Sequence, residues 1–270
     1  MQRYFLEIAY EGSQFHGWQR QPNALSVQEQ LEEGLATLLR APHPLTGAGR
    51  TDAGVHCRQL YAHFDCAATL DANFLRKLNG WLPRSVAVPD LLVPTPPKPL
   101  HARFGAIQRT YQYYIHQQKD PFGYRHSWWL KFSLDWEAMA HAAELLKAHT
   151  DFASFCKAHG SNKTTFCKIF ESFFYTENQH IVYRISADRF LRGMVRAAVG
   201  TLVEVGKGKL PPQGLHEVLA ARNRSAAGPA APPHGLFLER VVYPAGSLRS
   251  LVTGELISAP PAGANDSSTA

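Results

Sequence analysis

Cysteine is scarce in this chain, and none of it is spaced for a covalent or metal framework. The four cysteines are Cys57, Cys66, Cys156 and Cys167. They form no C-x-x-C pair, and a chain of 270 residues needs no disulfide staple. Cys156 and His159 have a ligand-like spacing, but no second pair completes a zinc site. Free thiols in a reducing compartment are the expectation. Long apolar runs are missing as well, with none near the ~20 residues of a membrane span. Charged residues fall within the first ten positions, unlike a secretory leader. A phosphate-binding P-loop and a dinucleotide fingerprint are also absent. These absences point to a cytoplasmic protein with no membrane contact, no metal and no cofactor.

What is present is a basic surface on an ordinary globular composition. The formal charge is +6 and the pI about 9.2, with thirteen histidines besides. Such a charge favours polyanionic partners, nucleic acid first. The length suits one large domain or two moderate ones.

Residues 47–56 read G-A-G-R-T-D-A-G-V-H. Three glycines in eight residues mark a loop with unusual dihedrals, or one that something approaches closely. Asp52 sits inside it, with Arg50 two residues earlier. An acid on a rigid loop suits a nucleophile or general base. A turn in which Asp52 caps local N–H groups accounts for the same residues.

Around that loop the patterns alternate between strands and amphipathic helices. Residues 4–10 alternate as a first strand, followed by a polar loop, 11–20, studded with Phe15 and Trp18. Aromatic faces among amide and cationic groups suit splayed RNA bases, whereas a loop anchored in the core would use the same rings structurally. Ser26 with Glu29 makes a capping box, and Val27, Leu31, Leu35, Leu38 and Leu39 follow at helical spacing. A strand is expected over 55–64, then a helix capped by Asp71 and closed by Gly80. Residues 93–99 hold four prolines in seven and read as a stiff linker. Beyond it come a strand over 109–115, a helix over 135–149 and a hairpin of 166–175 with 180–187. Residues 188–196 lead into a helix through about Glu204, which would align Arg189, Arg192 and Arg196 in one stripe if it begins early. Pro211 and Pro212 start another helix. Residues 235–243 read as a last strand, and 245–270 as a disordered tail of Ala, Pro, Gly, Ser and Thr.

Three strings then stand out together. G-R-T-D-A-G-V-H, the N-terminal Y-E-G-S-x-F-x-G-W-Q, and H-A-R-F followed by R-T-Y-x-Y resemble signatures of the tRNA pseudouridine synthase A (TruA) family. F-x-x-x-M-V-R-x-x-V-G-x-L over residues 190–202 is similar to a further one, and the likeness spans residues 1–244. Cys57 after His56, where alanine is common, is a mild departure. The resemblance implies the pseudouridine synthase fold. That is an α+β protein of two similar subdomains, 1–99 and 100–244, sharing a continuous mixed, mainly antiparallel sheet, with helices on one face and a basic cleft between. It implies Asp52 as the catalytic residue, Tyr111 packing on the target base, and Arg196 pairing with Asp52. Arg50 is a candidate to fill the space of an extruded base or hold its phosphate. Gln19, Arg20, Arg103, Arg109, Lys163, Arg189 and Arg192 are candidate RNA contacts. The implied substrate is uridine 38, 39 or 40 in the anticodon stem-loop of tRNA, and the implied assembly a homodimer. The reaction detaches uracil from C1′ and rejoins it through C5, gaining and losing no atom, so it calls for no cofactor. Whether Asp52 attacks sugar or base, or works through a glycal, stays open. Two rivals use the same residues: an RNA-binding module without catalysis, and a metal-dependent hydrolase using Asp52, His56 and His63.

Overall fold

The first strand, β1 (Gln2–Tyr10), buries Leu6 and Ile8 completely, as its alternation requires. The computed structural model describes residues 1–95, 100–157 and 164–257. β1 lies antiparallel between β3 (His56–Cys66) and β4 (Val86–Pro94). Two helices cover this part. α1 (Val27–Leu39) starts where the Ser26 side chain accepts the Glu29 N–H. α2 (Ala72–Trp81) starts where Asp71 accepts from Phe74. Leu31, Leu35 and Leu78 are fully buried and join the cluster around Phe5, Leu6 and Ile8.

A second core forms around β5 (Gln108–His116), β7 (Ile169–Glu177) and β8 (His180–Ala187), paired antiparallel. Over it pack α4 (Trp136–Leu145, capped by Asp135), α5 (Met194–Gly206) and α6 (Gly214–Ala220). A short α3 (Ala102–Gly105) precedes β5.

The two cores meet because the chain returns. β9 (Leu236–Val242) inserts between β3 and β5, parallel to the first and antiparallel to the second. With β10 (Leu248–Ser250) the order is β10-β4-β1-β3-β9-β5-β8-β7, with β2 (Thr46–Gly47) on β3 and β6 (Trp128–Trp129) on β5. The result is an α+β fold on one large, mixed and mainly antiparallel open sheet. Tyr111 packs against both cores, so it marks their seam.

Several expectations change. The reading of 245–270 as a disordered tail fails for its beginning. Leu248 is fully buried, and β10 pairs with β4 through Leu248–Pro94, Arg249–Val93 and Ser250–Leu92. Small and proline-rich composition hid an edge strand only three residues long. By the same pairing, Val93 and Pro94 end a strand rather than open a linker, and the proline sits at its last residue, past the pairing with β1. Residues 96–99 and 258–270 lie outside the described residues. Gly80 falls inside α2 rather than closing it. α5 begins only at Met194, so Arg189 and Arg192 precede the helix and the expected arginine stripe does not form. Among the described residues no helix is long and apolar enough to cross a membrane.

Truncating Leu248 to Ala is expected to cost about 2–4 kcal/mol, the range for a large-to-small change in a closed core. Urea unfolding monitored by tryptophan fluorescence measures it, and an unchanged midpoint would return this segment to the tail.

Candidate active site

The loop bearing Asp52 runs from β2 to β3 and is held from behind by residues 12–18. The Trp18 N–H donates to the Thr51 carbonyl at 3.3 Å, and the Gly54 N–H to the Phe15 carbonyl at 3.2 Å. Thr51 Oγ1 and the Tyr10 hydroxyl share a buried hydrogen bond of 2.8 Å. Gly17 has φ +92° and lies so close to the Thr51 carbonyl that a Cβ would collide with backbone. Phe15 and Trp18 are buried, so the aromatic loop is a scaffold for the Asp52 loop, not a surface for bases. Within the loop, the Val55 N–H returns to the Asp52 carbonyl at 3.2 Å, a tight turn that leaves the Asp52 side chain half-buried.

Arg196 reaches Asp52 from the first turn of α5. Its Nη1 donates to Asp52 Oδ2 at 3.2 Å, with both side chains about a quarter exposed. Its Nε donates to the Ala231 carbonyl at 2.7 Å, and its own carbonyl accepts the Ala231 N–H at 2.9 Å. Gly200, one turn on, lets the Pro229 carbonyl lie directly against the helix. Arg196 is thus aimed by backbone on one side and spends its charge on the carboxylate at the other.

Tyr111 completes the group. Its ring meets Phe190 edge-on at 5.1 Å and 89°. Burial, then the neighbouring Cys57 and Asp52, pushes its phenol well above the usual range, so the hydroxyl stays a neutral donor. Phe190 opens the same segment that delivers Arg196. Gly193, with φ +72°, caps α5 without a side chain, and a Cβ there would stand 4.0 Å from Asp52 Oδ2 and 3.7 Å from Lys157 Cβ. Lys157, the last residue of the segment 151–157, thus lies beside the entry to α5. Its N–H bonds the Arg192 carbonyl at 2.9 Å, a pairing no spacing announces.

The other sequence-derived candidates divide. Arg50 and Arg192 are exposed and Arg189 half-buried around the loop and the α5 entry. Arg50 makes no ion pair among the described residues. Gln19 instead donates to Gln28 at 2.8 Å, and Arg20 pairs with Glu29 and Glu32 of α1 at 3.4 and 3.2 Å. Arg109 has a structural task. Its guanidinium donates to the carbonyls of Ala106 (2.8 Å), Asp188 (2.7 Å), Ala48 (3.1 Å) and Arg103 (2.8 Å). It ties both rims of the cleft together, and burial lowers its pKa. Lys163 lies outside the described residues.

The metal-hydrolase set does not assemble. His63 Nδ1 accepts the Ala102 N–H at 3.1 Å. His56, buried and stacked on Phe237 at 4.6 Å, accepts the Gly12 N–H at Nδ1 (3.0 Å). Its Nε2 faces the Arg125 and His234 carbonyls at 3.2 and 3.1 Å, which assigns the proton there. Glu11 and His126 do lie near His56, with donor atoms within 4.8 Å. Both His56 nitrogens are already spent on backbone, so this cluster reads as a hydrogen-bond hub.

A half-buried carboxylate, a paired guanidinium and a phenol thus meet at the seam of an open mixed sheet, and comparison with known proteins gives the class. Residues 142–244 match the family described as tRNA pseudouridine synthase, a family of isomerases. The chain is 48% identical to tRNA pseudouridine synthase A of Parabacteroides distasonis over 246 residues, 90% of this chain and 97% of that protein. It is 46% identical to the Porphyromonas gingivalis protein of the same name, over 90% and 98%. For that of Syntrophotalea carbinolica the identity is 40%, over 88% and 95%. The chain belongs to the tRNA pseudouridine synthase A family.

The buried histidines set a pH dependence of stability. Burial, with the Arg3 and His101 charges, lowers the His63 pKa from 6.5 to about 4, and burial lowers that of His56. The unfolded chain then binds protons that the folded one refuses. Stability is expected to be full above pH 6.5 and to fall as pH drops towards 4. Urea titrations across that window check it, and His63→Gln should flatten the slope.

Proposed function

We propose that this protein isomerises uridine to pseudouridine in tRNA, with Asp52 as the catalytic residue, Arg196 as its counter-charge and Tyr111 packing on the target base. The 3.2 Å contact between Asp52 and Arg196 carries the reading, because it joins two family signatures that lie 144 residues apart. The chemistry breaks the bond from C1′ to N1 of uracil and forms one from C1′ to C5, with a proton lost from C5 and one taken up at N1. An acid fixed in one direction can attack or stabilise the electron-poor centre made in the first step. Because the Asp52 side chain is only about a quarter exposed, a stem uridine must be extruded to reach it. Tyr111 stands where a ring can cover the extruded uracil. Arg50, Lys157, Arg189 and Arg192 supply positive charge for the flanking phosphates, which makes binding steeply salt-dependent.

Uridines 38, 39 and 40 of the anticodon stem-loop are the proposed targets, in the cytoplasm, with a homodimer as the working form. These rest on the family resemblance. Mapping pseudouridines in tRNA from cells lacking the protein tests the targets, and sedimentation equilibrium giving only a 30.0 kDa species would remove the dimer.

Asp52→Asn is expected to lower turnover on the order of 10³-fold or more while tRNA affinity stays near wild type. Arg196→Ala should lower it about 10²–10³-fold, as for removal of a charge-stabilising group. Single-turnover tritium release from 5-³H-uridine tRNA, with filter binding beside it, measures both. Normal turnover in Asp52→Asn would overturn the assignment, whereas a binding module would keep its whole function.

A further inference from the structure

Phe104 is 78% exposed, an unusual position for a phenylalanine on a segment fastened so firmly. It lies on α3, which packs against β2, the strand that feeds the Asp52 loop. Ala102 beside it is fully buried. Its N–H bonds His63 at 3.1 Å, and its carbonyl accepts the Tyr243 hydroxyl at 2.6 Å. His101 Nδ1 accepts the N–H groups of Arg103 and Phe104 at 3.1 and 3.3 Å. The His101 ring lies 4.5 Å from that of Phe104, tilted by 32°, and braces it from one side. The Arg103 guanidinium stands 5.9 Å from the Phe104 centroid and has no carboxylate partner among the described residues. Finally, the Arg109 guanidinium binds the carbonyls of both Arg103 and Ala48, so α3 and the catalytic loop share one clamp.

We propose that Phe104, braced by His101 and flanked by Arg103, is a stacking platform for an unpaired nucleobase adjoining the target nucleotide. This rests on the reading of the Asp52 cleft as a tRNA site. A base offers a π-face to the ring and carries a phosphate within reach of a cation, which is the combination present here. The segment is already tethered, so stacking pays little ordering cost. The local charge is that of Arg103 with the buried Arg109, and a polyanion complements it.

Phe104→Ala, Phe104→Leu and Phe104→Trp separate stacking from bulk. The expected KM for an anticodon stem-loop RNA rises about 5–100-fold in Phe104→Ala, in line with the loss of one base–aromatic stack. Phe104→Leu should behave as Phe104→Ala, and Phe104→Trp should restore KM, all with kcat changed little. In parallel, 2-aminopurine is placed at each loop position. Wild type and Phe104→Trp should quench at least one position that Phe104→Ala does not. This binding readout needs no turnover, so it stays readable if the isomerase reading itself fails. Thermal unfolding should be unchanged, because the ring is exposed. A wild-type KM in Phe104→Ala, or full function in Phe104→Leu, would overturn the platform. So would a change of sedimenting mass with RNA affinity intact, which would assign the ring to a protein contact.

Discussion

An ion pair between a loop and a helix 144 residues apart is the constraint on which this protein turns. Neither partner can find the other by local structure, so each is pinned to its own scaffold. Asp52 hangs on backbone bonds from residues 12–18, and Arg196 on reciprocal bonds to Ala231. What brings the scaffolds together is β9, a strand from near the end of the chain laid between β3 and β5. Backbone ladders are stiff, so the separation of the two charges is set by strand spacing rather than by side-chain flexibility.

Polar groups at the seam are spent on backbone with little left over. Arg109 carries a half-buried charge with no ion pair among the described residues, and four carbonyls from three segments solvate it. An unsatisfied cation there would be costly, and a fully satisfied one makes a rigid junction. His56 and His63 do comparable work as neutral rings. Each accepts a backbone N–H, and His56 also donates to two carbonyls. The motif residue His56 thus fastens the end of the Asp52 loop to three other segments.

The family membership and the geometry support each other in different ways. Similarity over nine-tenths of the chain identifies the family. The geometry shows a single carboxylate that is fixed, half-buried and paired with one directed guanidinium. A ring at the seam of both cores, braced by Phe190, stands beside it. The exposed cations cluster at the loop and at the start of α5, where an RNA backbone would pass.

Local patterns were enough for the elements whose causes are local. The Ser26 and Asp71 caps, the alternation of β1, and the 3.6-residue stripe of α1 are each written in neighbouring residues, because capping and periodic burial act over a few positions. The glycine-rich loop and its acid were legible for the same reason. Other features depended on partners distant in sequence. β10 is three unremarkable residues that become a strand only because β4 offers an edge. Arg109 looked like a phosphate contact, since nothing nearby shows the four carbonyls that enclose it. The Lys157 segment met the entry to α5 through the Arg192 carbonyl, and the aromatic loop proved to be scaffold because Thr51 sits behind it. Sequence alone determined which residues could carry the chemistry and where the side-chain-capped helices α1, α2 and α4 begin. Tertiary structure decided which of those residues meet, because hydrogen bonds and ion pairs between remote segments exist only once the sheet has closed.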